Sequence, residues 1–430
     1  MTSTPQATDP GLERELLAAC DALQPRLQTL LSSLVRFPSL LGEEASAQDF
    51  MEGLFAGLGL QVDRFEVSDE SLRHVPGFAE PLGRWHRHDN VVGAFRPREA
   101  TGRSLILNGH IDVVPVGAPE LWTTPPFEPV VRDGRLYGRG AGDMKAGIAA
   151  CVTAFEALRA IGLEPAAPVW MQSVVEEECT GNGALGCLAR GYRADAAVIP
   201  EPFDHTLLTA QVGVLWLSLE VLGRPAHVLD TARGINAIEA AFALYRGLQG
   251  LRDEWNATPH PAFAGVDKPI QFNLGRIQGG EWTSSVPTRC VADIRCGFFP
   301  GVTVAEARAA VEARLASTAA SEPSLQGVQY RIRYAGLASE GVVVDRAQPL
   351  MNTLADAHER VAGTPARGMA STATTDVRAF HLYGDIPATC YGPESSHIHG
   401  TDESVSLEST RVVTQVLALF MARWCGVQRA

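Results

Sequence analysis

The stretch SVVEEECTGNGALG, residues 173–186, places Glu176, Glu177 and Glu178 side by side, after an apolar run and before a glycine-rich turn. Adjacent carboxylates repel, and at the end of a buried strand they are costly to desolvate unless a cation or a proton accompanies them. In extended chain the side chains of Glu177 and Glu178 point opposite ways, so a turn must start there for both to diverge around a single site. An exposed acidic turn is the plainer alternative, and the apolar run before it argues against full exposure of all three.

Other residues of the same chemistry recur down the chain. His110 and Asp112 lie in LNGHIDVVPVG, where the histidine suits a metal ligand whose ring a nearby group fixes, or else a hydrogen-bonded histidine at a strand end. Asp143, in YGRGAGDMKAG, can bridge two cations with its two oxygens or cap the apolar helix that follows. The glycines around it lack the Walker order, which disfavours a phosphate loop. Glu201 stands between prolines in DAAVIPEPF, and SSHIHGTDESV carries His397 and His399. Singly each is ordinary; together they form a nitrogen and oxygen donor set suited to zinc or a similar divalent ion. The eight cysteines are scattered with no C-x-x-C pair, so neither thiolate ligation nor a disulfide framework is expected.

Such a set needs a scaffold that brings distant residues together. With 430 residues, 46% hydrophobic and 20% charged, the chain is sized for two domains rather than one. A helix is predicted over 11–35. SLILNGHIDVV, AGIAACVTAFEALRAIG, PVWMQSVV and DAAVIPEP then alternate strand with helix, which predicts an α/β fold with a mostly parallel sheet and functional residues at its C-terminal strand ends. The middle differs: GVLWLSLEVLG alternates at period two, and strand, helix, two strands, helix (303–316) and strand follow one another. Residues 211–337 are therefore read as an inserted α+β unit, leaving 1–210 and 338–430 as the catalytic, metal-binding domain.

Net charge of -13 and the lack of a basic tract argue against nucleic acid as a partner. No run approaches the about 18 apolar residues of a membrane span, and MTSTPQATDPGLERELL lacks the apolar core of a secretory signal, so a cytoplasmic location is expected.

GHIDVVP, GRGAGDMKAG, EEECTGNGA, PEP, GRPAH and HGTDE occur in that order, and on them the chain resembles the dinuclear zinc hydrolases of the M20 peptidase group. That group includes acetylornithine deacetylase, succinyl-diaminopimelate desuccinylase, aminoacylase-1 and carboxypeptidase G2, and the likeness runs from about residue 15 onward. The resemblance implies a zinc-peptidase-like catalytic domain and a ferredoxin-like insert that serves as lid and dimerisation domain. It implies two zinc ions, with cobalt or manganese possible, one bound by His110 and Glu201, the other by Glu178 and His399, and both bridged by Asp143. Asp112 would orient His110, and Glu177 would be the general base, with Glu176 in a supporting position. His227, in GRPAH, would reach the partner subunit's active site and stabilise the oxyanion, which implies a homodimer. Asn273, Arg295 and Arg378 are similar to substrate-binding positions.

Departures from the group bear on specificity: Ser284 and Ser285 stand in GGEWTSSVP where many relatives have Asn, STATTDVR replaces a glycine-richer stretch, and Glu394 replaces a frequent glycine. Residues 72–93 also form a long segment that would wall the substrate pocket. The expected reaction is metal-dependent hydrolysis of the amide of a small N-acyl or N-formyl compound, with a dipeptidase or carboxypeptidase as the rival inside the same chemistry. A catalytically silent zinc-binding protein has no need of Glu177, and a nucleotide-dependent transferase is weaker still.

Overall fold

The computed structural model describes residues 9–430, so the first eight residues of the segment read as lacking a secretory signal lie outside it. In chain order the main elements are α1 (Pro10–Ala22), α2 (Gln24–Val35), α3 (Ala45–Gly57), β1 (Gln61–Glu66), β2 (Asp89–Phe95), β3 (Leu105–His110), α4 (Ala146–Ala160), β4 (Val169–Val174), α5 (Asn182–Ala189) and β5 (Ala196–Ile199). They continue with β6 (Gly213–Leu222), α6 (Ala237–Ala257), β7 (Phe272–Gly279), β8 (Arg289–Phe298), α7 (Val304–Ser321), β9 (Gln329–Ser339), α8 (Pro349–Ala362), β10 (Ala388–Cys390) and α9 (Leu407–Cys425).

The larger sheet has the order β1-β2-β4-β3-β5-β10. It is mixed: β2 runs antiparallel to β1 and β4, whereas β4, β3, β5 and β10 are parallel neighbours. Every residue of β3, β4 and β5 is buried, which is why LILNGH, VWMQSV and AAVI read as continuous runs without alternation. β2 is hidden in sequence for the same reason. Its DNVVGAF is buried beyond the first residue, so the end of the segment 72–93 is a sheet strand and not pocket wall.

The predicted single helix over 11–35 is two helices broken at Leu23. Pro25, at the start of α2, has no N–H to continue the ladder of α1. The helix predicted to end at 316 runs on to Ser321, because the small residues ASTAAS offer no break before Pro323. No helix among the described residues is long and apolar enough to cross a membrane.

Residues between Ala210 and Leu337 build a second apolar core under an antiparallel sheet of order β7-β8-β6-β9. β6 and β8 bury alternate residues, and the buried set packs against α6 and α7. The first core is formed by the sheet of β1 to β5 and β10 with the helices around it, including α4 and α9, which pack on each other.

Candidate metal centre

The carboxyl ends of β3, β4 and β5 lie side by side and each delivers part of the site. β3 ends on His110, β4 runs into Glu176, Glu177 and Glu178, and β5 into Glu201. Asp143 comes from the irregular turn Ala141–Lys145 that opens α4, and His399 from the loop between β10 and α9.

Asp143 lies between two histidines. His110 Nε2 is 3.1 Å from its Oδ1 and His399 Nε2 is 3.4 Å from its Oδ2. Glu201 approaches the first histidine, with Oε1 3.8 Å from His110 Nε2; Glu178 approaches the second, with Oε1 3.1 Å from His399 Nε2. Ligand atoms of His110, Asp143 and Glu178 all fall within 4.8 Å of one another. The donor set thus divides into His110 with Glu201 and His399 with Glu178, and Asp143 turns one oxygen to each.

The close carboxylates and histidines shift one another's protonation. Burial works against a protonated His110, yet Asp143 and Glu201 hold its pKa well above the ordinary value. His399 is likewise pushed up to about 11, burial being outweighed by Glu178 and Asp143. Burial and the Asp143 charge raise Glu201 well above the carboxylate range. The imidazole nitrogens of His110 and His399 and the carboxylate oxygens of Asp143, Glu178 and Glu201 are donors that fit divalent ions.

Asp112 acts through two different groups. Its backbone carbonyl lies 2.9 Å from His110 Nδ1, closer than its own Oδ1 at 3.6 Å, so the carbonyl fixes the ring and leaves Nε2 facing Asp143. Its carboxylate accepts the backbone N–H groups of Glu177 (3.3 Å) and Glu178 (3.1 Å), pinning the turn that separates those two side chains. Glu177 is buried, with Oε1 3.5 Å from Arg378 Nη1; burial pushes its pKa up to about 8 while Arg378 pulls the other way.

Glu176 begins that turn with a left-handed φ of 63°. Its carbonyl accepts N–H groups from Cys179, Thr180 and Gly181, and its side chain leaves the centre altogether. Glu176 Oε1 meets His88 Nε2 at 3.0 Å, and His88 Nδ1 meets Glu44 Oε2 at 3.4 Å, all three side chains being buried. Burial opposes charge on His88, but the flanking carboxylates hold it up to about 10. Sequence reading missed His88 because RWHRHDN looks like a polar loop.

The remaining expected residues lie apart from the ligands. Arg378 is buried behind Glu177 and also donates to the Thr375 carbonyl at 3.2 Å. Arg295 reaches from β8 to the Thr372 carbonyl at 3.0 Å, and Asn273 is its exposed cross-strand neighbour on β7. His227 is exposed on the second body, where its Nδ1 accepts the Leu229 N–H at 3.1 Å and its backbone bridges to Ser285. His397 and His399 are both left-handed, with φ of 56° and 62°.

The family model for Peptidase family M20/M25/M40 matches residues 106–423, and the chain belongs to this family. Among its relatives, N-formyl-4-amino-5-aminomethyl-2-methylpyrimidine deformylase of Halalkalibacterium halodurans is 28% identical and aligns with 97% of this chain and 98% of its own. Succinyl-diaminopimelate desuccinylase of Paracidovorax citrulli is 32% identical over 64% of this chain and 68% of its own. The dipeptidase Dug1p of Saccharomyces cerevisiae shares the fold, with a TM-score of 0.82 at 13% identity, covering 96% of this chain and 98% of that one. The protein is thus a member of a family of hydrolases.

Proposed function

We propose that the chain is a dinuclear metal amidohydrolase that releases an amine from a small N-acyl compound, with N-formyl compounds foremost. The carrying observation is Asp143 turned by its two oxygens toward His110 and His399, each with its own glutamate, while Glu177 stands beside them unpaired with either histidine. A relative similar in sequence over nearly the whole chain is a deformylase by name, which favours a short acyl group.

His110, Glu201 and Asp143 would hold one cation, and His399, Glu178 and Asp143 the other; zinc suits these donors, with cobalt and manganese as substitutes. When bound, such ions supply a Lewis acid and water acidified toward a pKa of about 7. Glu177 takes a proton from the attacking water and returns it to the leaving amine nitrogen as the C–N bond breaks, so one water is consumed and one acid and one amine are formed. Asp112 keeps His110 in the tautomer that offers Nε2. Arg378 steadies Glu177, and His227 of a second copy donates to the oxyanion as the carbonyl carbon becomes tetrahedral. Residues 211–337 act as lid and dimer contact.

The test is a screen of metal-loaded protein against N-formyl, N-acetyl and N-succinyl amines and amino acids and against dipeptides. Release of amine from the N-formyl series, lost with a chelator and restored by Zn2+, is the expected result. Turnover confined to dipeptides overturns the deacylase reading in favour of a dipeptidase.

A further inference from the structure

The turn that carries Asp143 is held by a carboxylate distant in sequence. Glu403, buried at 1% exposure, accepts the backbone N–H groups of Gly140 (3.1 Å, through Oε2) and of Gly142 (3.0 Å) and Asp143 (3.1 Å, both through Oε1). Its own backbone carbonyl takes the Gly138 N–H at 2.9 Å. The counter-charge is Arg139, equally buried, whose Nη1 lies 2.5 Å from Glu403 Oε2. The other arm of that guanidinium, Nη2, donates to the carbonyls of Gly400 (3.0 Å) and Pro115 (3.3 Å).

Gly400 follows His399, and Glu403 lies four residues beyond that histidine. A single buried ion pair therefore binds the turn of Asp143 to the loop of His399. It does not touch β3 or β5, which end in His110 and lead into Glu201. A pair that served folding alone would not need to spend its carboxylate on three amides of the turn that carries a ligand, and a buried pair by itself adds little stability.

We propose that Arg139 and Glu403 are positioning residues for the cation place of His399 and Glu178, keeping Asp143 Oδ2 and His399 Nε2 aimed at the same point. This rests on the dinuclear reading of the centre. Glu403→Gln removes the charge and turns an N–H donor toward either Arg139 or the amides, so the turn and the His399 loop lose their common anchor. Arg139→Lys keeps the charge but not the forked reach to Gly400 and Pro115, and should do the same to a smaller degree.

The metal-stripped full chain, in wild-type and variant forms, is titrated with Co2+ in competition with a chelator, and the visible absorption of the bound ion is followed. Wild type should take two equivalents. Glu403→Gln should weaken one of them by at least about tenfold and leave the other within about threefold, the scale expected when a ligand's supporting contact is lost. In a His399→Ala background the single remaining equivalent, which shares only the Asp143 turn with this anchor, should change by no more than about threefold on Glu403→Gln. Equal weakening of both equivalents, or of neither, overturns the proposal, whereas a wild type that binds only one ion overturns the dinuclear reading instead. Should Glu403→Gln fail to fold by circular dichroism, Arg139→Lys is judged by the same criterion.

Discussion

Glu176, Glu177 and Glu178 are consecutive in the chain and meet three different environments. Glu178 faces His399, Glu177 faces Arg378, and Glu176 turns away to His88. The left-handed φ of Glu176 and the two amide bonds to Asp112 make that divergence possible. If Glu177 is the proton carrier, Glu177→Gln should keep the metal content of wild type by elemental analysis and lose kcat by about 10²–10⁴-fold. His88 permits a separate test in the unfolding equilibrium. Its pKa rises from 6.5 to about 10 in the folded chain, so its contribution to stability is complete below 6.5 and is lost as pH climbs through 10. Between those values folded His88 retains a proton that the unfolded chain has released, and stability should fall by up to about 1.4 kcal/mol per pH unit. Urea melts of metal-free protein across that window should show a shallower slope for His88→Gln than for wild type.

At the scale of elements, the site depends on close approach between α4 and the segment after β5. A Cβ on Gly147 would come 2.2 Å from the carbonyl oxygen of Pro200, the residue before Glu201. Gly147→Ala should push the start of α4, which follows Asp143, away from Glu201. An overpacking cost of about 1–3 kcal/mol in chemical denaturation is expected, together with weaker binding of the ion shared by His110 and Glu201 in a chelator competition. Much of this level was legible in the sequence. The apolar runs of β3, β4 and β5 and the carboxylates at their ends are local patterns, and the alternation of β6 reflects one buried face. What escaped reading was set by tertiary context. β2 carries no periodicity because it is covered on both faces, and its antiparallel direction is a matter of topology. Glu403 lies in HGTDE, where a buried anchor of distant amides reads no differently from an acidic helix start. His88 acquires its meaning only from Glu44 and Glu176, residues remote from it in sequence.

On the scale of the molecule, the two apolar cores leave His227 on an exposed edge, near Leu229 (89% exposed) and on the same body as Trp282 (73% exposed). In the proposed dimer a second copy would cover these side chains. If His227 serves the partner subunit, His227→Ala and Glu177→Ala chains should each be nearly inactive alone. Mixed after reversible dissociation, or co-expressed, they should regain about a quarter of wild-type activity, since half of randomly paired dimers are mixed and each mixed dimer has one complete site. If mixing restores nothing, His227 does not act across the dimer.

The left-handed residues around the centre carry a consequence for how the protein would change under selection. His397 and His399 hold a conformation that costs a side-chain-bearing residue about 1–2 kcal/mol relative to the right-handed form. Heat tolerance alone would reward glycine at both positions. With hydrolysis also demanded, survivors of a laboratory evolution experiment should accumulate glycine at 397 and retain histidine at 399, so that sequencing the pool separates backbone cost tolerated for chemistry from backbone cost merely inherited.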